Sequence, residues 1–163
     1  ENIMANSTFN GPVRSENGFQ SIAKSSTTGA VTSTMTLRTY EATITVANGA
    51  TTGKESAVGI PSNFIPMGVT VAVTTASTNS VNLNDIGTDA DTDGYVDGIS
   101  AALNTTGFKG FFGCNGVLGM SGFTTGASGL VGDEVELVVS GDPGSDTVIV
   151  LKFFGISSSS DAS

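Results

Sequence analysis

The sequence has no histidine and no tryptophan, a single cysteine, and only six basic residues among 163. Each scarcity closes a class of chemistry. Without histidine no Ser–His or Cys–His nucleophile pair can be assembled, so the abundant Ser and Thr hydroxyls have no partner to activate them. Cys114 alone cannot form an intrachain disulfide, and its neighbours Phe111, Phe112, Gly113, Val117 and Leu118 mark it as a small buried apolar residue. Arg14, Lys24, Arg38, Lys54, Lys109 and Lys152 are scattered singly in a chain of formal charge −9. The clustered cations that neutralise phosphates are absent, which excludes nucleic acid as a partner. The acidic balance repels anionic membranes, and no apolar run approaches the roughly 20 residues that span a bilayer. The N-terminus shows no basic-then-apolar leader pattern, and Met4 resembles a translation start preceded by three residues of other origin.

What is present is Gly, Ser and Thr, with Val, Ile, Thr and Phe recurring in short runs. β-Branched and aromatic side chains suit a pleated, half-buried surface, and Gly and Asn suit the turns between strands. Val31–Leu37 and Ala42–Val46 alternate apolar and polar residues with period 2, the pattern of strands with one buried face. Val69–Thr75 and Val81–Asn84 follow, predicted to pair as a hairpin across Ala76–Asn79, with Pro61 and Pro66 at a strand entrance or edge. Glu134–Val139 and Thr147–Phe154 flank a turn at Gly141–Ser145. Short strands, turn-rich loops and no long helix predict an all-β fold: a single domain of β-sandwich or jelly-roll type over residues 31–156. Residues 1–30, polar with isolated apolar residues, read as an extended N-terminal arm or a frayed terminus; residues 157–163 read as a disordered tail. In the arm reading Phe9, Phe19 and Ile22 are spaced to plug pockets on another surface. Residues 104–132, rich in Gly and Phe, suit either close packing about a symmetry axis or the core of one chain.

Two acidic features invite a chemical reading. Asp89, Asp91, Asp93 and Asp97 occupy positions 1, 3, 5 and 9 of a calcium-loop pattern, with Gly94 at position 6. Hard oxygen ligands at alternate positions can wrap a calcium ion, and glycine permits the sharp turn. Position 12 is Ser100 where the pattern needs a bidentate Glu, so a solvated acidic loop over Asp85–Gly98 stands beside the calcium reading. Glu134 and Glu136 alternate along one strand, which places both on a solvent face opposite Val135 and Leu137. No catalytic constellation emerges, and no resident cofactor is expected apart from that calcium.

The segment Met4-Ala5-Asn6-Ser7-Thr8-Phe9-Asn10-Gly11-Pro12-Val13-Arg14-Ser15-Glu16-Asn17-Gly18-Phe19 resembles the opening of small virion structural proteins of marine tailed phages, especially cyanophages. The stretches Ile60–Thr75, Val81–Gly98 and Val148–Phe154 are similar to the body of such proteins. The resemblance implies a non-enzymatic capsid decoration (cement) protein on the outer head surface, with a jelly-roll or sandwich body and a homotrimeric arrangement. Its partner would be the major capsid protein, docked through the arm at Phe9, Val13, Arg14, Phe19 and Ile22. The competing reading is a carbohydrate- or cell-surface-binding module of fibre or adhesin type, calcium-dependent if the acidic loop holds the ion. Against it, the chain offers only Tyr40 and Tyr95 for an aromatic sugar platform.

Overall fold

The computed structural model describes residues 19–55, 60, 64–114 and 134–159. These form ten strands: β1 (Phe19–Lys24), β2 (Val31–Val46), β3 (Thr52–Lys54), β4 (Phe64–Thr75), β5 (Asn82–Thr88), β6 (Asp91–Val96), β7 (Ala101–Ala102), β8 (Gly107–Gly113), β9 (Glu136–Val139) and β10 (Thr147–Ser159). The strands divide into two antiparallel sheets. One has the order β1-β2-β10-β4-β8; the other has the order β3-β9-β5-β6, with β7 paired to β5. The expected all-β sandwich is the observed fold.

Period-2 alternation aims one row of each strand at the space between the sheets. Ala42, Ile44 and Val46 of β2, Val69, Val71 and Val73 of β4, and Ile149, Leu151 and Phe153 of β10 supply the first sheet's half of the core. Leu83, Ile86, Tyr95, Val96, Val135, Leu137 and Val139 supply the other. Phe153 lies at the centre. Its ring meets Tyr95 edge-on, with centroids 5.5 Å apart, and Tyr40 at 6.5 Å.

Several expectations change on folding. Val31–Leu37 and Ala42–Val46 belong to one sixteen-residue strand, paired with β10 from Thr34↔Ser159 to Val46↔Thr147. The serine run therefore continues β10 through Ser159 instead of starting a disordered tail at Ser157, because β2 extends beside it and pairs its backbone groups. The N-terminal region is likewise structured from Phe19, where β1 pairs β2 along the sheet edge. The predicted hairpin of Val69–Thr75 with Val81–Asn84 does not form, since β4 and β5 lie in different sheets. The connection is tied elsewhere: Ser77 N–H donates to the Leu103 carbonyl, and the N–H groups of Thr78 and Asn79 donate to the Pro143 carbonyl, each at 3.0 Å. Those bonds carry the chain across the end of the sandwich.

Pro66 is the third residue of β4, near the entrance of the strand as expected, where among the described residues β10 pairs with it and β8 joins only from Gly68 on. Its missing N–H is tolerated because the β10–β4 register shifts between Phe154 and Gly155, the position that pairs with Pro66. Gly155 is required there: a Cβ would collide with the Ile65 backbone carbonyl. Two aspartates in the 141–146 turn brace the opposite end of β10, where Thr147 pairs with Val46. Asp142 Oδ1 accepts from the N–H of Gly49 and of Gly144, both at 2.8 Å, and Asp146 Oδ1 accepts from Asn48 N–H at 2.9 Å. The two glycine amides hold the Asp142 carboxyl below its ordinary range.

Candidate functional site

Three places in the molecule concentrate polar or apolar groups beyond what the core requires. The first is buried. Just past β3, Glu55 donates its N–H to the Val135 carbonyl at 2.9 Å, which turns its side chain between the sheets. Tyr40 of β2 donates its hydroxyl to Glu55 Oε1 at 2.6 Å. Glu55 is only 7% exposed, and among the described residues its Oε2 has no hydrogen-bond partner. Burial pushes the Glu55 carboxyl above its ordinary range, against the opposing pull of the Tyr40 bond and the Val135 backbone. Burial and the neighbouring Glu55 also raise the Tyr40 hydroxyl, so Tyr40 remains a donor throughout the physiological range. The pair holds a hydroxyl proton between β2 and the end of β3, which ties the sheets together.

The second is the acidic hairpin. Asp89 occupies the turn between β5 and β6 and makes an ion pair with Lys54 of β3. That bond holds Asp89 below its ordinary range and raises Lys54. Glu136 of β9 adjoins the same carboxylate and is raised, first by burial and then by Asp89. The expectation that Glu134 and Glu136 share a solvent face fails for Glu136, which is buried while Glu134 is exposed. The burial follows from pairing: Glu136 lies opposite both Lys54 and Gly87, inside the sheet.

A tight hairpin also separates the four aspartates of the calcium pattern. Asp91 and Asp93 lie at alternate positions of β6, and the side-chain hydrogen bond between them raises Asp91. Asp89 is engaged by Lys54, and Asp97 follows the end of β6. Among the described residues no three Asp, Glu, Cys or His side chains gather where a metal ion could be held. The sequence spacing fits a ligand-wrapping loop, but cross-strand pairing of Ile86 with Val96 and Thr88 with Asp91 draws the segment into a ladder.

The third place is the outer face of the β1-β2-β10-β4-β8 sheet, which sequence reasoning missed. Registers align residues in ranks across it: Leu37–Ile156–Ile65, Thr39–Phe154–Gly68, Glu41–Lys152–Thr70–Phe111 and Thr43–Val150–Ala72–Phe108. Leu37 is 51% exposed, Phe111 53% and Phe108 68%, with Met35, Met67 and Phe154 also open. The Phe111 and Phe154 rings meet at 5.4 Å over Gly68, where a Cβ would collide with both. A signal for this face existed in the sequence. The apolar residues of β2 fall at odd positions up to Leu37 and at even positions from Ala42, so one continuous strand must turn Leu37 away from the core.

Of the proposed arm residues, Phe9, Val13 and Arg14 lie outside the described residues. Phe19 opens β1 opposite Leu37, and Ile22 lies opposite Thr34 and is 49% exposed. Cys114 follows β8, is partly buried against the core, and has its thiol pushed up to about 12 by burial.

No family model matches the chain, and no curated protein matches it. Among solved structures, a chain of the cyanophage Pam1 capsid asymmetric unit is similar at 15% identity and a TM-score of 0.46, covering 91% of this chain and 93% of that one.

Proposed function

We propose that the chain is a non-enzymatic virion structural protein, a decoration or cement protein that binds the outer surface of a phage head through its N-terminal segment. The observation that carries this reading is the Met4–Phe19 sequence, which resembles the opening of small marine-phage virion proteins, together with its point of attachment. It joins the body at β1, the outermost strand of its sheet. A segment attached there can reach another surface without disturbing the core, and strand addition by extended chain is an effective way to gain affinity. Assembly as a homo-oligomer would multiply weak single-arm contacts by raising their effective concentration.

The polar groups of the two sheets suit a scaffold better than a catalyst. The buried carboxylate at Glu55 is bonded to a tyrosine that stays protonated, and Asp89 is neutralised by Lys54. The sugar-binding alternative loses both tyrosines as a platform, because Tyr95 is buried and Tyr40 is committed to Glu55.

The test is co-sedimentation of the full chain, and of a chain lacking residues 4–18, with marine tailed-phage heads stripped of their surface proteins. The deletion stops before β1 so that the sheet stays whole. The full chain is expected to pellet with the heads, and the truncated chain to lose at least about tenfold in affinity. Equal binding by both would refute the arm. Failure of the full chain to bind, with saturable binding on a glycan array, would replace the reading by the carbohydrate one.

A further inference from the structure

We infer that the outer face of the β1-β2-β10-β4-β8 sheet is a self-association surface, occupied by the same face of another copy of this chain. This deepens the homo-oligomer part of the reading above, but rests on observations independent of any capsid.

The first observation is apolar exposure with order. Leu37, Phe154, Phe111 and Phe108 fall in the ranks that register sets across β2, β10, β4 and β8, Met67 is exposed at the β4 bulge, and the two central rings meet over Gly68, where a Cβ would press on both. Scattered surface hydrophobes need no explanation; a contiguous face on a folded sheet marks an interaction site. Four strands at about 4.8 Å spacing and six residues along each give a patch of roughly 20 Å by 20 Å. That is on the order of 400 Å² per copy, about half of a standard partner area, so the association is weak to moderate and depends on concentration.

The second observation is charge, and it selects the occupant. The chain carries −9, which makes copies repel wherever acidic surfaces meet. Acidity is concentrated on the other sheet and its connections, at Asp85, Asp89, Asp91, Asp93, Asp97, Glu134 and Glu136. In the four ranks that form the patch the only charged residues are Glu41 and Lys152, neighbours on β2 and β10 whose side chains pair at 2.9 Å. The patch is therefore neutral as well as apolar, a face through which two such acidic molecules can approach without like charges meeting. Its central ion pair is also self-complementary. When the face meets its own image about a symmetry axis, each lysine finds a glutamate of the other copy.

The experiment is solution mass by light scattering on the full chain at about 100 µM, where weak association of this size is populated. The expected mass is twice 16.3 kDa, since a face that meets its own image about a two-fold axis closes as a dimer. Three variants locate the contact: Phe111→Glu, Glu41→Lys, and the exchange Glu41→Lys with Lys152→Glu. All three positions are exposed, so circular dichroism should show the native strand spectrum. Phe111→Glu and Glu41→Lys should each weaken association at least about tenfold, since they bring like charges together at the centre of the contact. The double exchange restores the neutral pair and should restore the mass. A monomer at this concentration overturns the inference, meaning that the face is open or covered by the chain's own remaining residues. An oligomer that survives both single substitutions overturns it too, since the copies would then meet elsewhere. Because no capsid enters the assay, failure here leaves the head-binding result untouched, and the reverse.

Discussion

Replacing Glu55 by Gln isolates the energetic consequence of the buried carboxylate. Oε1 is satisfied by Tyr40 and, among the described residues, Oε2 has no partner, in a residue removed almost wholly from water. Burial raises the folded-state value above the roughly 4.3 of an unfolded Glu, so the folded chain binds a proton more readily than the unfolded one. The sign follows directly. The stability associated with this group is fully present below the unfolded value and declines as pH rises through the folded one. Gln keeps the volume and the acceptor for Tyr40 but cannot ionise, so it removes that decline. An unsatisfied buried polar group costs about 1–3 kcal/mol, more when charged, and the Gln amide still leaves one group unpaired; the net gain is about 1 kcal/mol.

For a chain of this size that gain raises the melting midpoint by roughly 2–4 °C at pH 8 and by almost nothing near pH 4. Thermal melts of wild type and Glu55→Gln at about five pH values between 4 and 8 give the difference directly, and subtraction cancels the remaining carboxylates. A variant equally destabilised at both ends of the range would refute the reasoning, since the carboxylate would then be a net stabilising ion. Tyr40→Phe supplies the control: it strips the bond from Oε1 and should steepen the loss with pH.

Three further outcomes follow from the packing. Gly155→Ala forces a Cβ into the Ile65 carbonyl beside the Pro66 bulge, and should cost at least about 3 kcal/mol in denaturant melts; a loss under about 1 kcal/mol would mean that the bulge relaxes freely. Cys114, with its thiol pushed up to about 12, should resist a thiol reagent at pH 8 in the native state and react at once in denaturant; rapid native labelling would contradict its placement against the core. Calcium at about 5 mM should shift the melting midpoint by less than about 1 °C, because the hairpin gathers no ligand set; a larger shift abolished by Asp91→Asn would restore the acidic segment as a metal site.

Strand content was legible because period-2 patterns act locally: Ala42, Ile44 and Val46, or Leu137 and Val139, announce a buried row wherever the strand is placed. The partners of a strand are a different matter. Val69–Thr75 and Val81–Asn84 look like a hairpin on separation alone, and only the hydrogen bonds of Ser77, Thr78 and Asn79 to Leu103 and Pro143 send them to different sheets. Asp89, Asp91 and Asp93 fit an ion-binding loop by spacing, but cross-strand pairing sets the backbone they hang from. Glu136 looks solvated by alternation, yet its neighbours in the sheet bury it.

By itself the sequence determined the all-β class and left no histidine for catalysis, because composition and periodicity act within a few residues of chain. It also carried, in Met4–Phe19, the likeness on which the proposed virion role rests. Only the tertiary structure decided which faces meet. It put Glu55 beneath Tyr40, closed Asp89 onto Lys54, and gathered Leu37, Phe154, Phe111 and Phe108 into one neutral apolar surface. The residues of that surface come from three strands distributed from position 31 to 159, and register between distant strands is fixed by the hydrogen-bond ladder and the bulges, not by any local run.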